Sequence, residues 1–390
     1  MGRTFRQSAL GAGGDWRPAA AGAVVAIQGA HLLWTLAPPM EGAARHWVAN
    51  LFIDSSVVFA LALVLVVARR YRGSRLGLAW TLIAIGLALN VFAEVSWSVQ
   101  EMAIGDAEVP FPSISDIGYV GAYLPTLLGL LLMPQAPFSP MSRAKLGLDS
   151  LIVTSALAVL SWALIVGKIL GRTGESAQAE AVSVFYPLAD IAVIFAAFVL
   201  VARAGRTKFA LAFGLLAAGY VATAVSDSAY AYLTEAGYST GNYADIGWVA
   251  GYSLLSLAAL AALDPVATFE PLTRRDEQAP AFWPSLVPYA AMLPIAALLL
   301  GGVVRGDVEP ALTAGFLAVT ALVVLRQIVA NFENTRLNHE LRDLTANLEM
   351  RVREKTMQLL QRRAQGVEED APAGARPNGA DEPVGGLRQE

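Results

Sequence analysis

The chain has 390 residues, of which 55% are hydrophobic and 15% charged, and its mean hydropathy is +0.51. Soluble globular proteins carry about 25% charged residues, so this composition excludes an ordinary soluble domain and favours a chain surrounded by lipid. The net charge of −4 gives no argument for nucleic-acid binding, and the absence of cysteine excludes disulfides and thiolate metal sites. Three scattered histidines, His31, His46 and His339, are too few for a metal cluster, so we expect neither a metal nor a cofactor.

Ten runs of mainly apolar residues are each long enough, at about 20 residues, to cross the hydrocarbon of a bilayer. In chain order they cover 18–37, 48–68, 76–98, 115–133, 147–168, 182–202, 208–231, 245–263, 282–302 and 310–330. The sequence therefore predicts an all-α polytopic membrane bundle of about ten transmembrane helices. The basic segment 1–17 has no apolar core, which favours a cytoplasmic tail over a cleaved signal peptide.

Arginine and lysine alternate between successive loops of this predicted bundle. Basic residues precede the first run and occupy the loops after the second, fourth, sixth and eighth runs. The intervening loops are acidic or poor in basic residues, apart from a mixed loop after the fifth run. The positive-inside rule then places both termini in the cytoplasm, which requires an even number of spans. We expect a multi-pass protein of the inner or plasma membrane whose main partner is the lipid bilayer.

One motif occurs twice in the chain. Ser115-Asp-Ile-Gly-Tyr-Val-Gly-Ala-Tyr123 returns as Ala244-Asp-Ile-Gly-Trp-Val-Ala-Gly-Tyr252. Each copy begins a predicted span after an outer loop, and the preceding span ends in acidic and aromatic residues. An offset of four spans preserves orientation, so we predict two parallel four-helix repeats. The predicted repeats cover 18–133 and 147–263, and helices nine and ten follow within 282–330.

Acidic and aromatic residues of the predicted spans form a candidate ligand-sensing set. Ionisable groups within spans are costly and tend to mark functional positions, so this set predicts one outward-facing pocket in each repeat or one shared pocket. The set comprises Asp54, Glu94, Trp97, Asp116, Tyr119, Tyr123, Asp190, Asp227, Tyr230, Asp245, Trp248 and Tyr252. Helix capping alone is the alternative for Asp116 and Asp245, and an interfacial belt is the alternative for the aromatics. Asp149 falls near the inner surface and receives no role, and no basic residue lies deep in a span to pair with the acids.

Catalytic motifs are absent from the sequence. It contains no P-loop, no Gly-x-Ser-x-Gly elbow, no His-Glu-x-x-His and no Cys-x-x-Cys. Paired-aspartate chemistry at Asp54 and Asp190 has no surrounding motif to support it. We therefore predict no catalytic residue and no enzymatic activity.

The tenth run continues without proline or glycine to about residue 365. Its polar part carries a heptad seam with a stutter near Leu348–Val352: Leu337, Leu341, Leu344, Leu348, Val352 and Leu359. The seam predicts a cytoplasmic coiled-coil signalling helix over 331–365 and a parallel homodimer. The alternative is a single solvated helix stabilised by Glu–Arg pairs. Residues 366–390 are rich in Gly, Pro, Glu and Asp and are predicted to be disordered.

The segment that begins Asn338-His-Glu-Leu-Arg-Asp-Leu-Thr resembles the linker helices that join membrane sensor domains to GGDEF or histidine-kinase output domains. Phe111-Pro-Ser-Ile-Ser-Asp-Ile-Gly-Tyr119, Tyr186-Pro-Leu-Ala-Asp190 and the second Asp-Ile-Gly copy are similar to the sensor regions of actinobacterial multi-pass GGDEF/EAL proteins. No GGDEF, EAL or kinase domain follows, so the resemblance implies an input region whose output protein is separate or has been lost by truncation. His339-Glu-Leu-Arg is similar to a phospho-accepting box, but Asp343 and Leu344 depart from the residues that normally follow.

These patterns predict a membrane sensor that passes an extracytoplasmic or lipid-phase cue to a cytoplasmic coiled coil. The repeated halves and buried acids also suit a proton-coupled small-molecule transporter. An interaction scaffold without a ligand is a second alternative. Helices broken near the middle of the membrane would favour the transporter, and continuous spans would count against it.

Overall fold

The computed structural model describes residues 16–40, 42–104, 109–134, 140–171, 176–204, 208–234, 237–263 and 289–369. Within these ranges the chain is helical and contains no strand. Nine of the described helices are long and apolar enough to cross a membrane. The predicted all-helical fold is confirmed, and these nine candidate spans place the chain in the multi-pass membrane class.

The described helices agree closely in position with the apolar runs of the sequence. They are α1 (Arg17–Leu36), α2 (Ala43–Arg70), α3 (Arg75–Ile104), α4 (Ile114–Leu132), α5 (Pro140–Ser161), α6 (Gly167–Leu170), α7 (Ala177–Ala204), α8 (Ala210–Leu233), α9 (Asp245–Leu263), α10 (Met292–Arg305) and α11 (Pro310–Glu369). A π-helical turn, Trp162–Val166, connects α5 directly to α6. The described part of the predicted ninth span is α10, whose 14 residues are fewer than the about 20 that a bilayer requires. The count of ten spans therefore stays a prediction.

The chain divides into two units, one up to Gln327 and one from Ile328 onward. In the first unit, six helices form a closed cycle of neighbours in the order α2, α3, α4, α7, α8 and α9. We call this cycle the ring. Helix α1 packs against α9 and α2, and α5 packs against α7. The ring thus takes three helices from each predicted repeat, while the repeat itself stays a prediction.

The outer face of the ring is apolar. On α2, Leu51, Val58 and Leu65 recur every seven residues on the exposed side. A soluble protein would carry charged residues on such a face, whereas a lipid-facing helix carries residues of this kind. The distribution of exposed residues therefore supports the membrane assignment independently of helix length.

The glycine of each Asp-Ile-Gly motif lets two ring helices approach closely. A Cβ atom added to Gly118 on α4 would lie 2.7 Å from the carbonyl oxygen of Leu89 on α3. A Cβ atom added to Gly247 on α9 would lie 2.9 Å from the carbonyl oxygen of Ala222 on α8. Small residues permit such close backbone contact between membrane helices. The motif glycines thus have a packing role in both helix pairs.

A second apolar cluster joins α5, α10 and α11. Its buried members are Ile152, Ala156, Ile295, Leu312 and Val319. This cluster is separate from the apolar core of the ring. Helix α11 is therefore held in the first unit through α5 and α10.

The second unit is described up to residue 369 as the remainder of α11. Every seam residue in it is exposed, from 49% for Leu337 to 65% for Leu359. The coiled coil and the homodimer stay predictions. The predicted disordered tail lies outside the described residues from 370 onward, and its first residues, 366–369, still belong to α11.

Candidate ligand-sensing site

Four acidic side chains of the candidate set come together inside the ring. They lie on four different ring helices: Asp54 on α2, Glu94 on α3, Asp190 on α7 and Asp227 on α8. Glu94 is close enough to Asp54 and Asp227 for electrostatic interaction with both. Asp190 and Asp227 are likewise close enough to interact electrostatically. We call these four acids and the side chains that donate hydrogen bonds to them the polar cluster.

Glu94 is the most connected member of the polar cluster. It is 8% exposed, and its two carboxylate oxygens accept from different helices. The hydroxyl of Tyr119 on α4 donates to Oε2 (2.8 Å), and the hydroxyl of Tyr252 on α9 donates to Oε1 (2.9 Å). Since α9 belongs to the second predicted repeat, one carboxylate joins helices from both.

Asp190 and Asp227 take donors from the two Asp-Ile-Gly helices. The hydroxyl of Tyr123 donates to Oδ1 of Asp190 (2.7 Å), which joins α4 to α7. The indole N–H of Trp248 donates to Oδ1 of Asp227 (2.8 Å), which joins α9 to α8. Tyr119 and Trp248 hold the same position in the two motifs, and each donates to an acid on the preceding helix.

Asp54 has one satisfied and one unsatisfied carboxylate oxygen. Ser98 on α3 donates to Oδ2 (3.0 Å). Oδ1 is buried and has no hydrogen-bond partner among the described residues. Buried acceptors without partners are uncommon in native proteins, so this oxygen is a position where a water or a ligand donor would be stabilised.

The two motif aspartates each accept from a backbone N–H that precedes their helix and from a tyrosine hydroxyl. Asp116 accepts from the backbone N–H of Ser113 (2.6 Å) and from the hydroxyl of Tyr186 on α7 (2.5 Å). Asp245 accepts from the backbone N–H of Gly241 (2.6 Å) and from the hydroxyl of Tyr238 (2.6 Å). Asp116 is thus the third residue of a capping box whose N-cap is Ser113, Asp245 accepts from the loop that precedes α9, and each carboxylate also accepts from a tyrosine hydroxyl.

The loop 237–244, between α8 and α9, forms hydrogen bonds with residues near the ends of α2 and α3. Glu101 accepts from the hydroxyl of Thr240 (2.6 Å) and from the amide of Asn50 (2.5 Å). The guanidinium of Arg45 donates to the carbonyl oxygen of Gly241 (2.7 Å). The sequence predicted none of these contacts, because each joins residues that lie 51 or more positions apart.

Tyr238 connects this loop to the polar cluster. Its ring centroid lies 4.7 Å from that of Tyr230 and 6.5 Å from that of Trp248. Burial and the neighbouring carboxylate of Asp245 raise the pKa of Tyr238 well above its ordinary value. The hydroxyl therefore stays protonated and continues to donate.

Trp97 is the candidate that the structure does not join to the others. It lies half-buried on α3, and no hydrogen bond or ring contact links it to another candidate in the described part of the chain. Tyr186, Tyr238 and Ser98 were missed by the sequence analysis although they contact candidate acids. Tyr186 had a signal, since it begins the Tyr186-Pro-Leu-Ala-Asp190 segment.

The polar cluster combines carboxylates, neutral donors and aromatic faces. Such a set attracts cationic or proton-donating groups, because carboxylates and ring faces both carry negative potential. Among the described residues there is no group of three or more acids or histidines arranged to hold a metal ion. The sensing role of these residues stays a prediction.

Asp149, to which the sequence analysis assigned no role, has a charged partner in the structure. Its side chain is 13% exposed and forms a 2.8 Å ion pair with the guanidinium Nε of Arg326 on α11. Sequence reasoning missed this contact because 177 residues separate the two partners. No periodic pattern indicates an isolated pair of this kind.

The fold and the polar cluster together define a multi-pass helical membrane protein with acidic and aromatic residues inside a helix ring. Comparison with protein-family models, with curated proteins and with solved structures finds no match for this chain. The resemblance to GGDEF/EAL sensor regions therefore stays a prediction.

Proposed function

We propose that this protein is a dimeric membrane sensor whose polar cluster binds or responds to a cue and whose helix α11 passes the change to a cytoplasmic coiled coil. In this proposal a cytoplasmic output partner reads the state of the coiled coil. A cue acts in this scheme by binding two states of the ring with different affinity.

The observation that carries the proposal is the pair of hydrogen bonds to Glu94. They join α3, α4 and α9 at one buried carboxylate. A change at that carboxylate alters contacts among three helices at once, which is what a sensor needs to convert a local event into helix movement.

A second support is the composition of α11. Its first part is apolar and its second part is polar with exposed seam leucines. An exposed apolar stripe at heptad spacing suits pairing with a second copy of the same helix. Signalling along such a helix needs no further domain between the ring and the seam.

The absence of cysteine allows a direct test by single-cysteine crosslinking of the full chain in membranes. We expect Leu341→Cys to form a disulfide-linked dimer. Addition of Glu94→Gln to this variant should change the rate of disulfide formation by about fivefold or more. Ala346→Cys lies on the opposite face of the helix and serves as the control for the seam. Tyr220→Phe, which removes a hydroxyl from the apolar core of the ring, serves as the control for the cluster.

Two results would overturn the proposal. Equal crosslinking of Leu341→Cys and Ala346→Cys would show that the seam does not pair in parallel. An unchanged rate in Glu94→Gln would show that the cluster does not influence α11. The scaffold alternative predicts that Asp116→Ala and Asp245→Ala also leave the rate unchanged.

The transporter alternative has support in the acids that face one another inside the ring. Against it, α2, α3, α7 and α8 run as continuous helices past their cluster acids, and α7 does so with Pro187 in its interior, whereas many carriers bind substrate at broken helices. We expect proteoliposomes loaded with a pH-sensitive dye to show no proton flux above empty vesicles. Flux that disappears in Asp190→Asn would favour the transporter instead.

A further inference from the structure

An ion pair is buried where α11 leaves the first unit. The guanidinium Nε of Arg326 lies 2.8 Å from Oδ1 of Asp149, and Arg326 is 5% exposed. Tyr289 lies beside the pair, with its ring centroid 5.9 Å from the guanidinium carbon. Its hydroxyl donates to Gln327 (2.8 Å), so two successive residues of α11 are held by neighbouring side chains.

Charged side chains inside an apolar bundle are rare because removing them from water is costly. Once both are buried, each depends on the other, and deleting one leaves an uncompensated charge. The pair therefore favours one register of α11 against α5 over any register that separates the two side chains. Apolar packing alone would allow the helix to slide at lower cost.

Helix α5 connects this ion pair to the ring. Close packing continues along α5 and α11, since a Cβ atom added to Gly315 would lie 3.3 Å from the Cβ atom of Val159. Helix α5 also packs against α7, which carries Asp190 of the polar cluster. The π-helical turn Trp162–Val166 at its end contacts both α7 and α8. Such turns often lie at functional sites and let a helix change its winding locally.

We propose that Asp149 and Arg326 are positioning residues that fix the resting register of α11, and that α5 transmits movement of the ring to α11 through them. This proposal rests on the proposed sensor function. It adds a specific route: a change in the polar cluster moves α7, α7 moves α5, and α5 acts on α11 through the ion pair.

The register is measured by disulfide formation between Val159→Cys and Gly315→Cys in the full chain in membranes. The Cβ separation is close to the usual disulfide range of about 3.5–4.5 Å, so we expect rapid oxidation in an otherwise native background. Asp149→Asn and Arg326→Gln should each slow oxidation by about tenfold or more, because each leaves one buried group without its charge partner. Exchange of the charges, Asp149→Arg with Arg326→Asp, should restore part of the rate.

The ion-pair variants are then made in a chain whose only cysteine is Leu341→Cys, and the rate of seam crosslinking is measured. We expect Asp149→Asn to abolish the response of seam crosslinking to Glu94→Gln while monomer abundance in the membrane stays comparable. Unchanged oxidation of the Val159→Cys/Gly315→Cys pair in both single variants would overturn the positioning role. A response to Glu94→Gln that persists in Asp149→Asn would overturn the route through α5. Failure of the sensor proposal is distinct from both results, since it would appear as no response to Glu94→Gln when the ion pair is intact.

Discussion

The ring contains two regions that hold together by different means. Around the polar cluster, carboxylates accept hydrogen bonds from tyrosine, tryptophan and serine on neighbouring helices. In the apolar region, fully buried side chains fill the space between the same helices: Val64, Trp80, Ile83, Phe213, Leu216 and Leu255. In lipid, helix association depends on packing and on hydrogen bonds rather than on the hydrophobic effect. We therefore expect stability to depend mainly on the apolar region and the proposed signalling mainly on the polar cluster.

The apolar region should dominate stability. Trp80→Ala removes a side chain with 0% exposure, and we expect it to destabilise the folded protein by about 3–5 kcal/mol because a large cavity remains. Thermal or denaturant unfolding in detergent measures this effect. Leu78→Ala, on the exposed side of the same helix, is the control and should have little effect. A larger loss of unfolding free energy in Leu78→Ala than in Trp80→Ala would contradict our assignment of the inner and outer faces of α3.

The motif glycines test how closely the helices around the polar cluster must approach. Gly118→Ala places a Cβ atom against the carbonyl oxygen of Leu89, and we expect a loss of about 1–3 kcal/mol. Gly214→Ala is the matched control, because no atom lies within 4 Å of the added Cβ. Equal stability of the two variants in the same unfolding assay would contradict the close packing of α3 and α4.

The tyrosine hydroxyls should matter more for signalling than for stability. Tyr252→Phe removes one hydrogen bond to Glu94, and we expect a loss of about 0.5–1.5 kcal/mol in unfolding free energy. Seam crosslinking at Leu341→Cys should nevertheless change more than in Trp80→Ala, compared per folded molecule. A larger change in seam crosslinking for Trp80→Ala than for Tyr252→Phe would contradict the distinction between the two regions.

The loop 237–244 should give the smallest and most local effect. Glu101→Gln weakens the contacts to Thr240 and Asn50, so we expect faster amide hydrogen exchange in this loop and little change in global unfolding. Asp307→Asn, in an exposed position, is the control for loss of one acid. Exchange that accelerates across α8 and α9 as well would show that the loop contacts stabilise the whole ring.

Much of the fold was predictable because membrane helices leave a strong signal in sequence. Long apolar runs predicted the two helices that carry Glu94 and Tyr119, and these residues meet on adjacent helices as the chain order implies. The contact between Tyr252 and Glu94 was not predictable from local pattern, since it depends on how α9 returns to α3. The sequence accordingly left one shared pocket and one pocket in each repeat open as alternatives.

Three of the contacts that the sequence analysis missed join distant parts of the chain. Tyr186 with Asp116, Thr240 with Glu101 and Arg326 with Asp149 each join residues at least 70 positions apart. Periodicity reports which face of a helix is apolar and says nothing about which helix it meets. Polar pairs between distant helices are therefore found only once the helix order around the ring is known.

We propose that Glu94 and Tyr252 act as one contact that biases α11. A double-mutant cycle read by the crosslinking rate of Leu341→Cys tests it most directly. Glu94→Gln and Tyr252→Phe should each change the rate, and the double variant should differ little from Glu94→Gln alone, because the hydroxyl has then already lost its carboxylate partner. Fully additive effects, or no effect of either substitution, would contradict the account.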